Sequence, residues 1–236
     1  MEHADARWLE WSLPALAWVG GSLDAMSYLA LGHVFTANMT GNTVLLAIAL
    51  GTGTALRALR SLLAVCGFAL GVAAGTALLR GQAVGWSTRV NRVLLLEAVL
   101  LGTAALACAC GHPSLPVSWM HALISMLGMV MGMQSAAVRQ VHLSGVWTTF
   151  ITGTLTEWVA GLVDRTPAQE LPIGRVRAAV YATYGLAALV TAWLHQPWPT
   201  SAIVLPLLVL LVLLVLLGVA GCGAWRVRRS RPGQSA

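Results

Sequence analysis

Long apolar runs separated by short polar stretches occupy most of the chain, at residues 11–32, 61–79, 93–110, 118–137, 178–194 and 201–221. Runs of this length suit helices that cross about 30 Å of hydrocarbon. Two further runs, 44–50 and 153–163, are too short to cross as complete helices. Each follows a polar, glycine-containing break: Val34-Phe35-Thr36-Ala37-Asn38-Met39-Thr40-Gly41-Asn42-Thr43, and Val146-Trp147-Thr148-Thr149-Phe150-Ile151-Thr152-Gly153-Thr154. Lipid offers a backbone no hydrogen bonds, so a polar break at membrane depth must be enclosed by protein or line a cavity. The pattern therefore predicts an all-α polytopic membrane protein with about six full transmembrane helices and two short, broken or half helices. Within the first run, Pro14, Gly20, Gly21 and Asp24 predict a kink or an interruption.

The two breaks are related by a constant shift of 112 residues. Gly20 meets Gly132, Ala25 meets Ala137, Leu31 meets Leu143 and Val34 meets Val146. Thr36 then meets Thr148, Thr40 meets Thr152 and Gly41 meets Gly153. An ordered set of matches around one Thr-Gly reads as an internal duplication. Residues 11–110 form the first expected repeat, 118–222 the second, and 223–236 a basic tail.

Arginine placement arbitrates the topology. All fourteen basic residues are arginine, and they lie between or beyond the apolar runs. If both short helices cross, giving eight spans, Arg80, Arg89, Arg92 and Arg139 face outside. If both turn back, only Arg57 and Arg60 do. Cytoplasmic loops carry the excess of basic residues, which favours six spans and a cytoplasmic Arg226–Arg231 tail. Three spans per repeat is an odd number, so the repeats would be inverted, an arrangement of transporters and channels.

Composition agrees: 58% of residues are hydrophobic and 9% charged, against about 25% charged in a soluble domain. The net charge of +6 comes from membrane-flanking arginines and gives no nucleic-acid surface. Trp8, Trp11, Trp86, Trp119, Trp193, Trp198 and Trp225 fall at run ends, as interfacial tryptophans do. Cys66, Cys108, Cys110 and Cys222 sit in apolar runs and read as small buried residues; no cleavable signal peptide is evident. His33, His121 and His142 lack paired ligand spacing, so no metal and no cofactor is expected. Gly67, Gly71 and Gly75 make a stripe that permits close helix approach.

Candidate chemistry centres on the breaks. Asp24 and Glu157 flank them, and a carboxylate in hydrocarbon is costly unless it faces the bundle interior. Glu97, near one end of its run, reads as structural or at headgroup level. Asn38, Thr40, Gly41, Asn42, Thr148, Thr152, Gly153 and Thr154 supply neutral hydrogen-bonding groups and close backbone. Thr40 or Asn42, and Thr152 or Thr154, are candidate helix caps. Two half-helix starts meeting at mid-depth would favour an anion or a polar solute. These ten residues, Asp24 and Glu157 included, are the expected substrate site around one central region. An amide at Asp24 or Glu157 is expected to remove charge while keeping size and hydrogen bonding.

Gly21-Ser22-Leu23-Asp24-Ala25-Met26-Ser27-Tyr28-Leu29, with the first break, resembles the signature of the YoaK-type DUF1275 (UPF0700) bacterial membrane proteins. Gly132-Met133-Gln134-Ser135-Ala136-Ala137-Val138-Arg139, with the second break, is similar to that family's second signature. Leu94-Leu95-Leu96-Glu97-Ala98 matches a further stretch. The resemblance covers about residues 11–221 and implies a multi-pass protein of the bacterial inner (plasma) membrane, with no family active site to carry over. The expected function is a small-solute transporter or channel whose partners are the bilayer and a small polar or ionic solute. The competing expectation is a non-transporting structural or partner-binding membrane protein. No nucleophile–base pair, Walker loop or dinucleotide turn is present, so an enzyme is not expected.

Overall fold

The computed structural model describes residues 3–110, 116–164 and 171–196, together with 204, 206–212 and 214 in the last apolar run. The expected tail at 223–236 and most of the 201–221 run lie outside the described residues. Every regular element among the described residues is helical: α1 (His3–Ala30), α2 (Met39–Gly51), α3 (Ala55–Leu79), α4 (Thr88–Cys110), α5 (Val117–Val141), α6 (Ile151–Val163) and α7 (Leu171–His195). Apolar sequence in lipid leaves the backbone only its own carbonyls as partners, and the helix uses them all.

Among the described residues, four helices are long and apolar enough to cross a membrane: 55–79, 88–108, 117–141 and 173–195. The expected count of six rests in addition on α1 and on the last run. Two expectations need correction. The first run is not interrupted at Pro14 or Asp24, because α1 continues unbroken through both and the chain breaks only after Ala30. Glu97 is not near a helix end. α4 starts at Thr88, which places Glu97 near mid-helix and fully buried.

The short helices run longer than 44–50 and 153–163. α2 and α6 are each 13 residues and begin at positions 39 and 151, 112 apart. At 1.5 Å per residue each spans only about 20 Å. Neighbouring contacts show where they go. Gly32, just past α1, lies against the Arg60 guanidinium near the start of α3. Ser144, just past α5, accepts a hydrogen bond from Arg177 near the start of α7 (3.1 Å). In both cases the long helix before the break ends on the face where the long helix after it begins. A complete crossing between them would put those ends on opposite faces. Both α2 and α6 therefore turn back.

The most extensive packing joins α3 to α5, followed by α1 to α7. Each is a pairing of the first helix of one expected repeat with the third helix of the other. Glycine permits the α3–α5 approach. A Cβ at Gly67 would strike the Ser125 carbonyl, and one at Gly71 the Met129 carbonyl. Reciprocally, Gly128 faces the Ala64 carbonyl and Gly132 that of Phe68. Without a hydrophobic difference between lipid and side chains, such backbone proximity is what holds membrane helices together. The outward faces of α2 and α6 are apolar, with Val44, Ile48, Val159 and Leu162 exposed to the lipid side.

Gly71→Ala is expected to destabilise the fold by about 2 kcal/mol through overpacking against the α5 backbone. Gly102→Ala, where an added Cβ meets nothing within 4 Å, is expected to leave stability unchanged. Thermal unfolding of the purified protein in detergent separates the two. Equal melting of both variants would show that backbone proximity at α3–α5 is unnecessary.

Candidate functional site

The first break is built on one carboxylate. After α1 the chain turns at Gly32 and His33, both at positive φ (87° and 66°), and doubles back along the helix. Three consecutive backbone N–H groups then point at Asp24: Thr36 (2.7 Å) and Ala37 (2.6 Å) donate to Oδ1, and Asn38 (3.1 Å) to Oδ2. The Tyr184 hydroxyl of α7 also donates to Oδ2. Asp24 is 4% exposed. A buried carboxylate and a run of unpaired N–H groups are each costly alone, and here each satisfies the other. The arrangement accepts at every position, so an amide is no substitute. The expectation that Asn preserves hydrogen bonding fails because its NH2 group would face donors.

Behind this anchor the two breaks share one local design. Asn42 accepts from the Phe35 N–H (2.9 Å) and donates to the Phe35 carbonyl (2.6 Å). At the positions 112 residues on, Thr154 accepts from the Trp147 N–H (2.9 Å) and donates to the Trp147 carbonyl (2.8 Å). Asn42 and Thr154 are thus internal staples, not the helix caps expected of them. Asn38 caps α2 through the Gly41 N–H (3.1 Å), whereas Phe150 precedes α6 and gives it no side-chain cap. The Thr-Gly glycines have a steric reason. A Cβ at Gly41 would meet the Phe35 ring at 3.0 Å, and one at Gly153 would overlap the Phe150 ring.

The second break has no carboxylate, since Ala136 occupies the position corresponding to Asp24. Neutral groups of α5 hold it instead. Gln134 donates to the Thr148 hydroxyl (3.0 Å) and to the Leu16 carbonyl of α1 (3.0 Å), and Ser135 pairs with the Thr149 hydroxyl (2.6 Å).

Both breaks open onto a single cavity of about 440 Å³. Ala37 to Thr40 line one side and Thr149 to Thr152 the other, with Phe68, Tyr181 and Tyr184 completing the wall. Phe68 and Tyr184 sit at the middle of the 25-residue helices α3 and α7, which sets the cavity at mid-depth. Among the described residues, no charged side chain lines it.

Of the residues expected at the site, Asn38, Thr40 and Thr152 line this cavity, and Asp24 stands behind its wall through Asn38 and Tyr184. Asn42, Thr148 and Thr154 are buried in the supporting bonds, and Gly41 and Gly153 pack under aromatic rings. Glu157 is elsewhere. Its side chain is 47% exposed, pairs with Arg177 at 3.6 Å and lines a separate cleft with Arg139 and His142. Sequence reading missed Tyr184 and Gln134, although a tyrosine or glutamine in mid-span needs a polar partner and so points to one.

Asp24→Asn is expected to cost about 3 kcal/mol, since at least one charge-assisted bond is lost and a buried donor left facing another donor. Tyr184→Phe, which removes a single bond, is expected to cost about 1.5 kcal/mol. Detergent melting curves give both values, and wild-type melting of Asp24→Asn would exclude the carboxylate as anchor of the break.

Comparison with known proteins places these motifs. The family model described as "Protein of unknown function (DUF1275)" matches residues 13–216, taking in both breaks and the helices that hold them. UPF0700 transmembrane protein YoaK of Bacillus subtilis (strain 168) is 38% identical over 156 residues, which cover 65% of this chain and 67% of that protein. No solved structure matches. With the match extending over most of the chain, and over every residue that anchors the breaks, this protein belongs to the DUF1275 family.

Proposed function

We propose that the chain is a transporter or channel for a small, uncharged polar solute, acting in the bacterial inner (plasma) membrane and not as an enzyme. The observation that carries this reading is the cavity between the two breaks. Neutral hydrogen-bonding groups line it at mid-depth, where lipid-facing sequence would be wholly apolar. The starts of α2 and α6 bring partial positive charge to it. Asp24 lies behind the wall, so the field is close to balanced and favours a solute without net charge. Asn38, Thr40, Thr149 and Thr152 are the proposed ligands, with the aromatic rings excluding water from the rest of the wall.

The repeats are proposed to be inverted, with α1–α7 and α5–α3 as the rocking pairs. Arg57 and Arg60 lie near the start of α3. Arg80, Arg89, Arg92, Arg139, Arg175 and Arg177 lie at the other end of the helices. On the positive-inside rule that second end is cytoplasmic, and the C-terminal tail with it. A packing role for the breaks is favoured by the satisfied bonds of Asp24, Asn42 and Thr154. The cavity and its hydroxyl lining support the transport reading, because packing alone needs neither.

Proteoliposomes loaded with a panel of small polyols and amides test the proposal by stopped-flow light scattering. At least one solute is expected to cross faster than in protein-free vesicles. Thr152→Trp, which fills the cavity from its edge, is expected to abolish that excess. Wild-type flux through the Trp variant, or no excess for any solute, would refute the reading.

A further inference from the structure

A second cavity, of about 620 Å³, opens at the arginine-rich end of the helices. It is formed by the last turns of α3 and α5 and by the loop that follows α3. We propose that it binds a phosphate group, presented by an anionic phospholipid head group or by a soluble phosphate. The proposal does not depend on transport.

Arg80, Arg139 and His142 line the polar side of this cavity, and no carboxylate among the described residues does. The one ion pair among the described residues joins Arg177 to Glu157 in the neighbouring cleft, which leaves the Arg80 and Arg139 guanidiniums without an acidic partner. Guanidinium groups bind phosphate oxygens in bidentate fashion, and two in one cavity can bracket the single negative charge of a phosphodiester from two sides.

The walls that carry them are fixed. Gln140 donates to the carbonyls of Gln82 (3.3 Å) and Ala83 (2.9 Å), and the Gly85 N–H donates to the Gln140 carbonyl (3.0 Å). The loop is therefore clamped to the end of α5. Arg89 donates to the Arg80 carbonyl (3.0 Å), and the His142 ring is held at the Arg139 carbonyl (3.1 Å).

Depth and lining point to lipid as the source. The cavity begins where the apolar faces of α3 and α5 end, the level at which head-group phosphates lie. Below the arginines its wall continues as Ala73, Ala77 and Ala136 with the one hydroxyl of Thr76, a mainly apolar slot toward the bilayer that a free phosphate would not need. The face also carries the excess of arginine, which orients it toward the anionic cytoplasmic leaflet.

The test uses the full chain purified in neutral detergent. Its melting midpoint is followed while phosphatidylglycerol, phosphatidylcholine or inorganic phosphate is added. Phosphatidylglycerol is expected to raise the midpoint and phosphatidylcholine to leave it near the lipid-free value. The double variant Arg80→Gln/Arg139→Gln is expected to weaken the apparent phosphatidylglycerol affinity about tenfold or more, and Arg57→Gln, at the opposite face, to leave it unchanged. Should the double variant fail to fold, Arg80→Lys and Arg139→Lys keep the charge and lose the bidentate geometry, with a smaller loss expected. A rise with inorganic phosphate alone assigns the site to a soluble phosphate. Equal effects of the two lipids, or an unchanged phosphatidylglycerol response in the arginine variants, would overturn the proposal.

Discussion

A backbone that leaves its helix inside a bilayer must find acceptors for its freed N–H groups, because lipid has none. The fold turns on how that demand is met at residues 36–38. Asp24 supplies a single acceptor group to three successive N–H donors, and Tyr184 closes the set from the neighbouring helix α7. The bonds explain why a carboxylate persists in an apolar helix and why α1 stays unbroken past it. They also make α7 part of the first break, so the closest pairing of α1 is with a helix from the other half of the chain.

The second break is tied down by other means, through bonds between side chains and not through freed backbone N–H groups. Gln134 and Ser135, both on α5, take the place of the carboxylate, with neutral bonds to Thr148 and Thr149. Neutral hydrogen bonds are about half as strong as charge-assisted ones. What the breaks keep in common is the staple from the seventh residue on, Asn42 to Phe35 and Thr154 to Trp147, and the ring packed over glycine. Amide and hydroxyl are interchangeable there because each can accept and donate at once.

Much of this was legible in the sequence, and the remainder was hidden for definable reasons. Apolar run length gave the long helices, and Thr-Gly recurrence gave the paired breaks with their offset. Arginine placement favoured short helices that turn back, and the contacts of Gly32 with Arg60 and of Ser144 with Arg177 agree. Polar side chains were harder to read, since residue type does not reveal which partner is within reach. Asn42 and Thr154 resemble caps by position yet bind backward to the loop. Glu157 resembles a site carboxylate, but it pairs with Arg177 and lines a separate cleft. Tyr184 stands 160 residues from its partner, and no local pattern links the two.

The unequal anchoring of the breaks bears on how the cavity can open. Its walls come from two segments at the same depth, one tied across the structure by a charged group and one tied to α5 by an amide and a hydroxyl. Moving the first means separating Asp24 from Tyr184 or from three backbone donors, which leaves a buried charge short of partners. Moving the second exchanges neutral bonds that a polar solute or a few waters can replace at little cost. The aromatic pair on that side, Phe150 against Trp147 at 5.7 Å, is edge-on and partly exposed. The fold thus joins a wall held by a carboxylate, built on Asp24 and α7, to one held by neutral bonds at Thr149 to Thr152.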